Sequence, residues 1–250
     1  ASGAERWKEQ GDSPFELVLS HSGDDFAVMG MHFKLGLYEH QSAGALQGVI
    51  DLLVNNPSLV GQIGQIGQIE ITAYEPAFGI IGNPMKKDPR TRQSADHSMA
   101  YIVATLLRKA AELGSVPSSS DEAWKALMLT PYDYRVGKDA IYHPLTRALM
   151  ERIDFRHGGQ EYDARYPDGI PTSVWVRPGL FGGSDSPSRP EPPRTTPNHP
   201  ELSSGLVMYP AGHARNTTAD LHGILRHKWR MLGAIALPDG GDADALIERF

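Results

Sequence analysis

The chain has 250 residues, 40% of them hydrophobic and 22% charged, with a formal net charge of −6. That length gives one large domain or two small ones with a real core, and the mild acidity lacks the concentrated basic face of a dedicated nucleic-acid binder. No apolar run approaches the roughly 20 residues of a helical membrane span, and the absence of cysteine excludes disulfides, thiolate nucleophiles and thiolate metal sites.

The chain opens Ala1-Ser2-Gly3, with neither a methionine nor an apolar signal-like stretch, and is expected to lack a segment in front. After a dozen polar residues, 15–19 alternate and predict a strand; 28–35 predict a second, carrying His32 and Lys34. Apolar residues at helical spacing predict a helix over 42–55, stopped by Asn55-Asn56-Pro57. Residues 61–69 repeat Gly-Gln-Ile three times and lead into a strand at 69–74. A basic loop with two prolines fills 82–92, and a helix is expected over 95–113.

Ser118 to Asp121 can cap a short helix around 124–129, and Pro144 suits the first turn of another that runs to Met150. Strands follow at 153–157, 172–177 and 205–209. Between the last two, residues 178–204 form an insertion with six prolines within 187–200, too proline-rich for a core. Helices at 217–232 and 242–249 close the chain. Strands and helices mix without strict βαβ alternation, which predicts an α+β fold with a mixed sheet.

The ten histidines show no HExxH or similar ligand spacing, and the GxGxxG, GxxxxGK[ST] and GxSxG patterns are missing. No metal and no cofactor is therefore expected. Three clusters remain. Lys34, Glu39 and His40 stand where a strand gives way to a helix, a place suited to a base or an anion-binding group. Lys86, Lys87, Arg90 and Arg92 make a basic loop that can bind a carboxylate. In Tyr209-Pro210-Ala211-Gly212-His213-Ala214-Arg215, Gly212 permits close backbone approach while His213 and Arg215 can hold an anion.

Taken in order, these clusters resemble the MmgE/PrpD family. Asp96-His97-Ser98-Met99-Ala100-Tyr101-Ile102-Val103-Ala104 resembles the family's DHS-x-x-Y-hydrophobic-V-A helix start, which follows a threonine-bearing strand and a basic loop, as Ile71-Thr72 and Lys86-Lys87 precede it here. His32-Phe33-Lys34 and Glu39-His40-Gln41-Ser42-Ala43 resemble its lysine-bearing strand and histidine-bearing helix start. Tyr209 to Arg215 resembles the late YP-x-GHAR segment, most like the 2-methylcitrate dehydratase branch. Family members are roughly twice this length.

The resemblance implies an α+β lid domain at 13–210, with the proline-rich insertion at 178–204, then a C-terminal helical segment at 211–250 that completes an all-helical domain. The family's N-terminal helical half has no counterpart in the sequence. The implied reaction is loss of water from a tricarboxylate without a metal, with Lys34 as a carboxylate-binding or acid group and His40 as the acid/base. Glu39 can exchange roles with His40, because the register after Lys34 differs from relatives. Phe78 stands near where some relatives place a cleft tyrosine. Lys86, Lys87, Arg90, His213 and Arg215 are the implied substrate-binding groups. Two other readings stand beside the lyase: a non-catalytic binding or assembly domain, and a cis-aconitate decarboxylase-like enzyme. The expected partners are a small tricarboxylate and either a second copy or a separate chain carrying the helical half, with no nucleic acid and no membrane, in the cytoplasm.

Overall fold

The computed structural model describes residues 31–179, 202–237 and 241–248. The strand expected at 15–19 and most of the proline-rich insertion lie outside these residues. Four strands form one mixed sheet in the order β2-β1-β3-β4: β1 Ile66–Ala73, β2 Ile153–His157, β3 Thr172–Pro178 and β4 Leu202–Val207. β1 runs parallel to β2 and antiparallel to β3, and β3 is antiparallel to β4. With several helices packed on it, the fold is α+β.

Helix α1, Ala43–Asn55, lies on β3 and β4. Its approach is close because Gly44 and Gly48 face the sheet. A Cβ on Gly44 would stand 2.5 Å from Thr172 Oγ1, and one on Gly48 would stand 2.9 Å from Val174 Cγ2. Leu46, Ile50 and Leu53 are fully buried in the resulting core, with Ile69, Ile71 and Val174 from the sheet.

The Gly-Gln-Ile repeat does more than lead into a strand. Residues Pro57–Gln65 are a 3₁₀ helix, whose three residues per turn suit a three-residue apolar period. In a strand the same period would send alternate isoleucines to opposite faces. A register shift between Ile66 and Gln68 changes that parity, so Ile63, Ile66 and Ile69 are all buried.

The single helix expected over 95–113 is two: α2, Arg92–Asp96, and α3, Met99–Leu113. The break falls at Ser98, whose hydroxyl accepts from the Tyr101 N–H to cap α3 and donates to the Lys86 carbonyl at 2.6 Å. Helices α4 (Ser120–Leu127), α5 (Pro144–Glu151) and α6 (Gln160–Asp163) follow. Among them, α5 packs on α3 and begins at Pro144 as expected. Helix α7, Leu221–Ala236, packs on α4 and on the last helix α8, Ala243–Ile247.

The strand expected through 28–35 is not one over its described part. Residues 31–34 carry no regular structure and 35–38 bend. The backbone bonds here go to three separate places instead of to one neighbouring strand. Phe33 N–H donates to the Gly212 carbonyl (2.7 Å), Leu37 N–H to that of Leu129 (2.9 Å), and Glu39 N–H to that of Asp96 (3.1 Å).

Candidate active site

That sewn-down segment brings the chemical groups together. Gly212 is required at its contact: an added Cβ would meet the Phe33 carbonyl oxygen at 2.0 Å, so no larger residue lets the two segments approach. The 209–215 loop is held from behind by Gln47, whose Oε1 accepts from the Ala211 N–H (3.0 Å) and from the Trp124 indole (2.8 Å). Its amide nitrogen donates to Asp51 and Ser120, both at 2.9 Å. All four hydrogen-bonding positions of this buried amide are filled, which fixes its orientation.

Three imidazoles meet where the two segments touch. His32 lies between the others, its ring centroid 3.9 Å from that of His213 and 5.4 Å from that of His40, the latter pair only 5° from parallel. Backbone donors set two tautomers. His32 Nδ1 accepts from the Ala214 N–H and His213 Nδ1 accepts from the Arg215 N–H, both at 3.1 Å. Each neutral ring therefore carries its proton on Nε2. His213 Nε2 is buried without a partner. Burial pushes the His213 imidazolium down to about 4, with further repulsion from His32, Arg215 and His40. His40 is also pushed down, chiefly by burial and then by His32 and Lys34, and His32 by burial and Arg215. All three are neutral at neutral pH.

Glu39 behaves in the opposite sense. It caps the short 3₁₀ turn His40–Ser42, with Oε2 accepting from the Gln41 N–H at 2.8 Å. Burial nevertheless raises its carboxyl above the usual value, offset in part by that hydrogen bond and by the charges of His97, Lys34 and Lys86. A carboxyl pushed toward its neutral acid beside an imidazole pushed toward its neutral base is the pattern of an acid–base pair. Lys34 acts electrostatically on both.

The Asp96-His97-Ser98 run supports this arrangement residue by residue. The Asp96 carbonyl holds the Glu39 N–H. The His97 ring, bonded to the Asp96 carboxylate, adds its charge to the field at Glu39. Ser98 grips the backbone of Lys86.

The remaining sequence-derived candidates divide. Lys86 falls within electrostatic reach of Glu39. Lys87 pairs with Asp154 at 3.4 Å, and Arg90 folds back on Asp88 at 2.8 Å, which also takes Arg147. Arg215 pairs with Asp168 at 3.0 Å. These three cations already have carboxylate partners. Phe78 stacks near His157, 5.7 Å between ring centroids. The hydroxyl in electrostatic reach of Glu39 is that of Tyr74, buried against Tyr166 and without a hydrogen-bond partner. His32 and Tyr74 were visible in the sequence only as strand residues. Their one signal was the spacing of His32 two residues before Lys34. Among the described residues no three His, Asp or Glu side chains are arranged so that they could hold a metal ion, the stacked imidazoles included, and no helix is long and apolar enough to cross a membrane.

A family model described as the MmgE/PrpD C-terminal domain matches residues 40–248, so the chain belongs to the MmgE/PrpD family, a membership that supports a dehydratase-type lyase. No curated protein sequence matches it.

Proposed function

We propose, on the premise of that membership, that this chain is the lid-bearing part of a hydro-lyase that removes water from a tricarboxylate of the 2-methylcitrate type. The observation that carries the reading is the opposed displacement of two neighbouring groups, Glu39 toward its protonated form and His40 toward its neutral form. Elimination beside a carboxylate requires a base for the carbon-bound proton and an acid for the departing hydroxyl. In this assignment neutral His40 takes the proton, and the C–H electron pair forms the new double bond as the C–O bond breaks, with Glu39 supplying the proton that turns the leaving hydroxyl into water. Lys34 and Lys86 offset the charge of the substrate carboxylates, whose field would otherwise oppose carbanion development.

The complementary groups of the cleft belong, in this reading, to a helical half carried by the same polypeptide, by a separate chain or by a second copy. The test is turnover of 2-methylcitrate by the complete assembly. Lys34→Ala and His40→Ala are each expected to lower it by at least about tenfold to a hundredfold, the usual scale of an acid–base group. Near-normal turnover in both variants sinks the assignment. A complete assembly that leaves 2-methylcitrate unchanged favours the binding or assembly reading.

A further inference from the structure

Helix α7 contributes one residue to this site that none of the three clusters contains. Lys228 Nζ donates to the backbone carbonyl of Lys34 at 2.5 Å, joining the C-terminal helix to the segment that carries His32, Lys34, Glu39 and His40. Arg230, two residues on, is engaged elsewhere, with its Nε 2.6 Å from Asp244. Lys228 is the basic residue of α7 that reaches the site.

Two lysines in such proximity form an unbalanced pair. Neither Lys34 nor Lys228 makes an ion pair among the described residues. Burial depresses the Lys228 ammonium, and the Lys34 charge depresses it further. The nearby carboxyl, Glu39, feels the Lys34 charge, but it stands in ion-pair contact with neither lysine, and its oxygen is taken by the Gln41 N–H. A chain of net charge −6 has ample carboxylates to neutralise two ammonium groups, yet among the described residues none is in ion-pair contact with either. Two cations held together without an ion-pair partner repel each other, and a ligand with several carboxylates converts that repulsion into attraction.

We propose that Lys228 is a second anion-holding cation of the site, and that it and Lys34 together grip a polycarboxylate ligand. The inference deepens the lyase reading by adding a substrate-binding residue, and it rests on that reading only for calling the ligand a substrate. The bond to the Lys34 carbonyl directs one of the three ammonium hydrogens. The other two remain for the ligand.

Isothermal titration of the full chain with citrate as the tricarboxylate probe, at low ionic strength and with acetate as the monocarboxylate control, tests the proposal. Citrate is expected to bind and acetate to bind far more weakly. Lys228→Met is expected to weaken citrate at least about tenfold, whereas Lys228→Arg, which keeps the charge and a donor for the carbonyl, stays within about threefold of the parent. Circular dichroism identifies a variant that has lost its fold, and the Lys228→Arg result keeps the test decisive in that event. Citrate bound equally by the parent and a folded Lys228→Met, not bound by the parent at all, or lost on Lys228→Arg overturns the proposal. Binding that depends on Lys228 in an assembly that performs no dehydration sinks the lyase reading and leaves this inference standing.

Discussion

His213 holds its proton less tightly in the fold than in the unfolded chain, so folding expels protons as the pH falls. The stability this residue contributes is complete above its ordinary value of 6.5 and is lost progressively as pH drops toward about 4, the value to which burial and neighbouring cations push it. His32 and His40 are displaced in the same direction and steepen the loss. Between pH 7.5 and 4.5 the His213 share is about 2–3 kcal/mol. Unfolding free energies from urea titrations at those two pH values are expected to differ less in His213→Asn than in the parent by about that amount; equal differences contradict the account. Lys34, Glu39 and His40 were legible in the sequence because seven consecutive positions, 34–40, carry them. His32 was not recognised as a site residue, because its role arises from rings that stack only after the 209–215 loop has folded against it. Lys228 fell within the helix expected over 217–232 without being singled out, since nothing in sequence spacing says which side of that helix docks.

At the scale of elements, the distance between α1 and the sheet is set by absent side chains. Gly48 faces Val174 and Ser204, with approaches of 2.9 and 3.1 Å to an added Cβ, whereas Gly61 in the 3₁₀ helix has nothing within 4 Å. Gly48→Ala is therefore expected to cost about 1–3 kcal/mol by overpacking. Gly61→Ala, in open space, should change stability by well under 1 kcal/mol or raise it slightly. Thermal unfolding of both variants checks this, and a Gly48→Ala protein as stable as the parent removes the packing argument. The regular elements of the core were read well: α1, the start of α5 and strand β2 stand where periodicity and proline placed them. The failures share a cause in tertiary partners. Residues 31–35 alternate like a strand, yet the Phe33 amide goes to Gly212 and the Leu35 amide to the Tyr38 hydroxyl, while those of Leu37 and Glu39 just beyond go to Leu129 and Asp96. The helix expected from 95 was cut by Ser98, whose hydroxyl is claimed by both α3 and the Lys86 carbonyl. Strand β4 begins at Leu202, earlier than expected, because β3 supplies its register: Val176 pairs with Leu202 and Thr172 with Val207.

Over the whole molecule, charge and packing are distributed unevenly. The net charge of −6 would repel a trianion at long range, so any attraction must come from cations gathered locally. Lys34, Lys86 and Lys228 stand at one site, while Lys87, Arg90 and Arg215 are neutralised by neighbouring carboxylates. Helix α7, which contributes Lys228, is held lightly. Of its side chains only Ile224 is fully buried, with Leu221, Leu225 and Met231 partly buried against the core, and the bond to the Lys34 carbonyl ties it to the site.

The bonds that assemble the site span long stretches of chain: 164 residues from Gln47 to Ala211, 182 from His32 to Ala214 and 194 from Lys34 to Lys228. Each closes a loop whose entropy local contacts do not repay, so these contacts are expected to form after the rate-limiting barrier of folding has been crossed. In stopped-flow measurements Lys228→Met is then expected to speed unfolding while leaving the refolding rate within about twofold, whereas Leu46→Ala, in the buried face of α1, slows refolding as well. A Lys228→Met chain that refolds much more slowly, with its unfolding rate unchanged, contradicts this order of events. On this kinetic view the imidazole column and the lysine pair are the last parts of the molecule to be completed and the first to come apart.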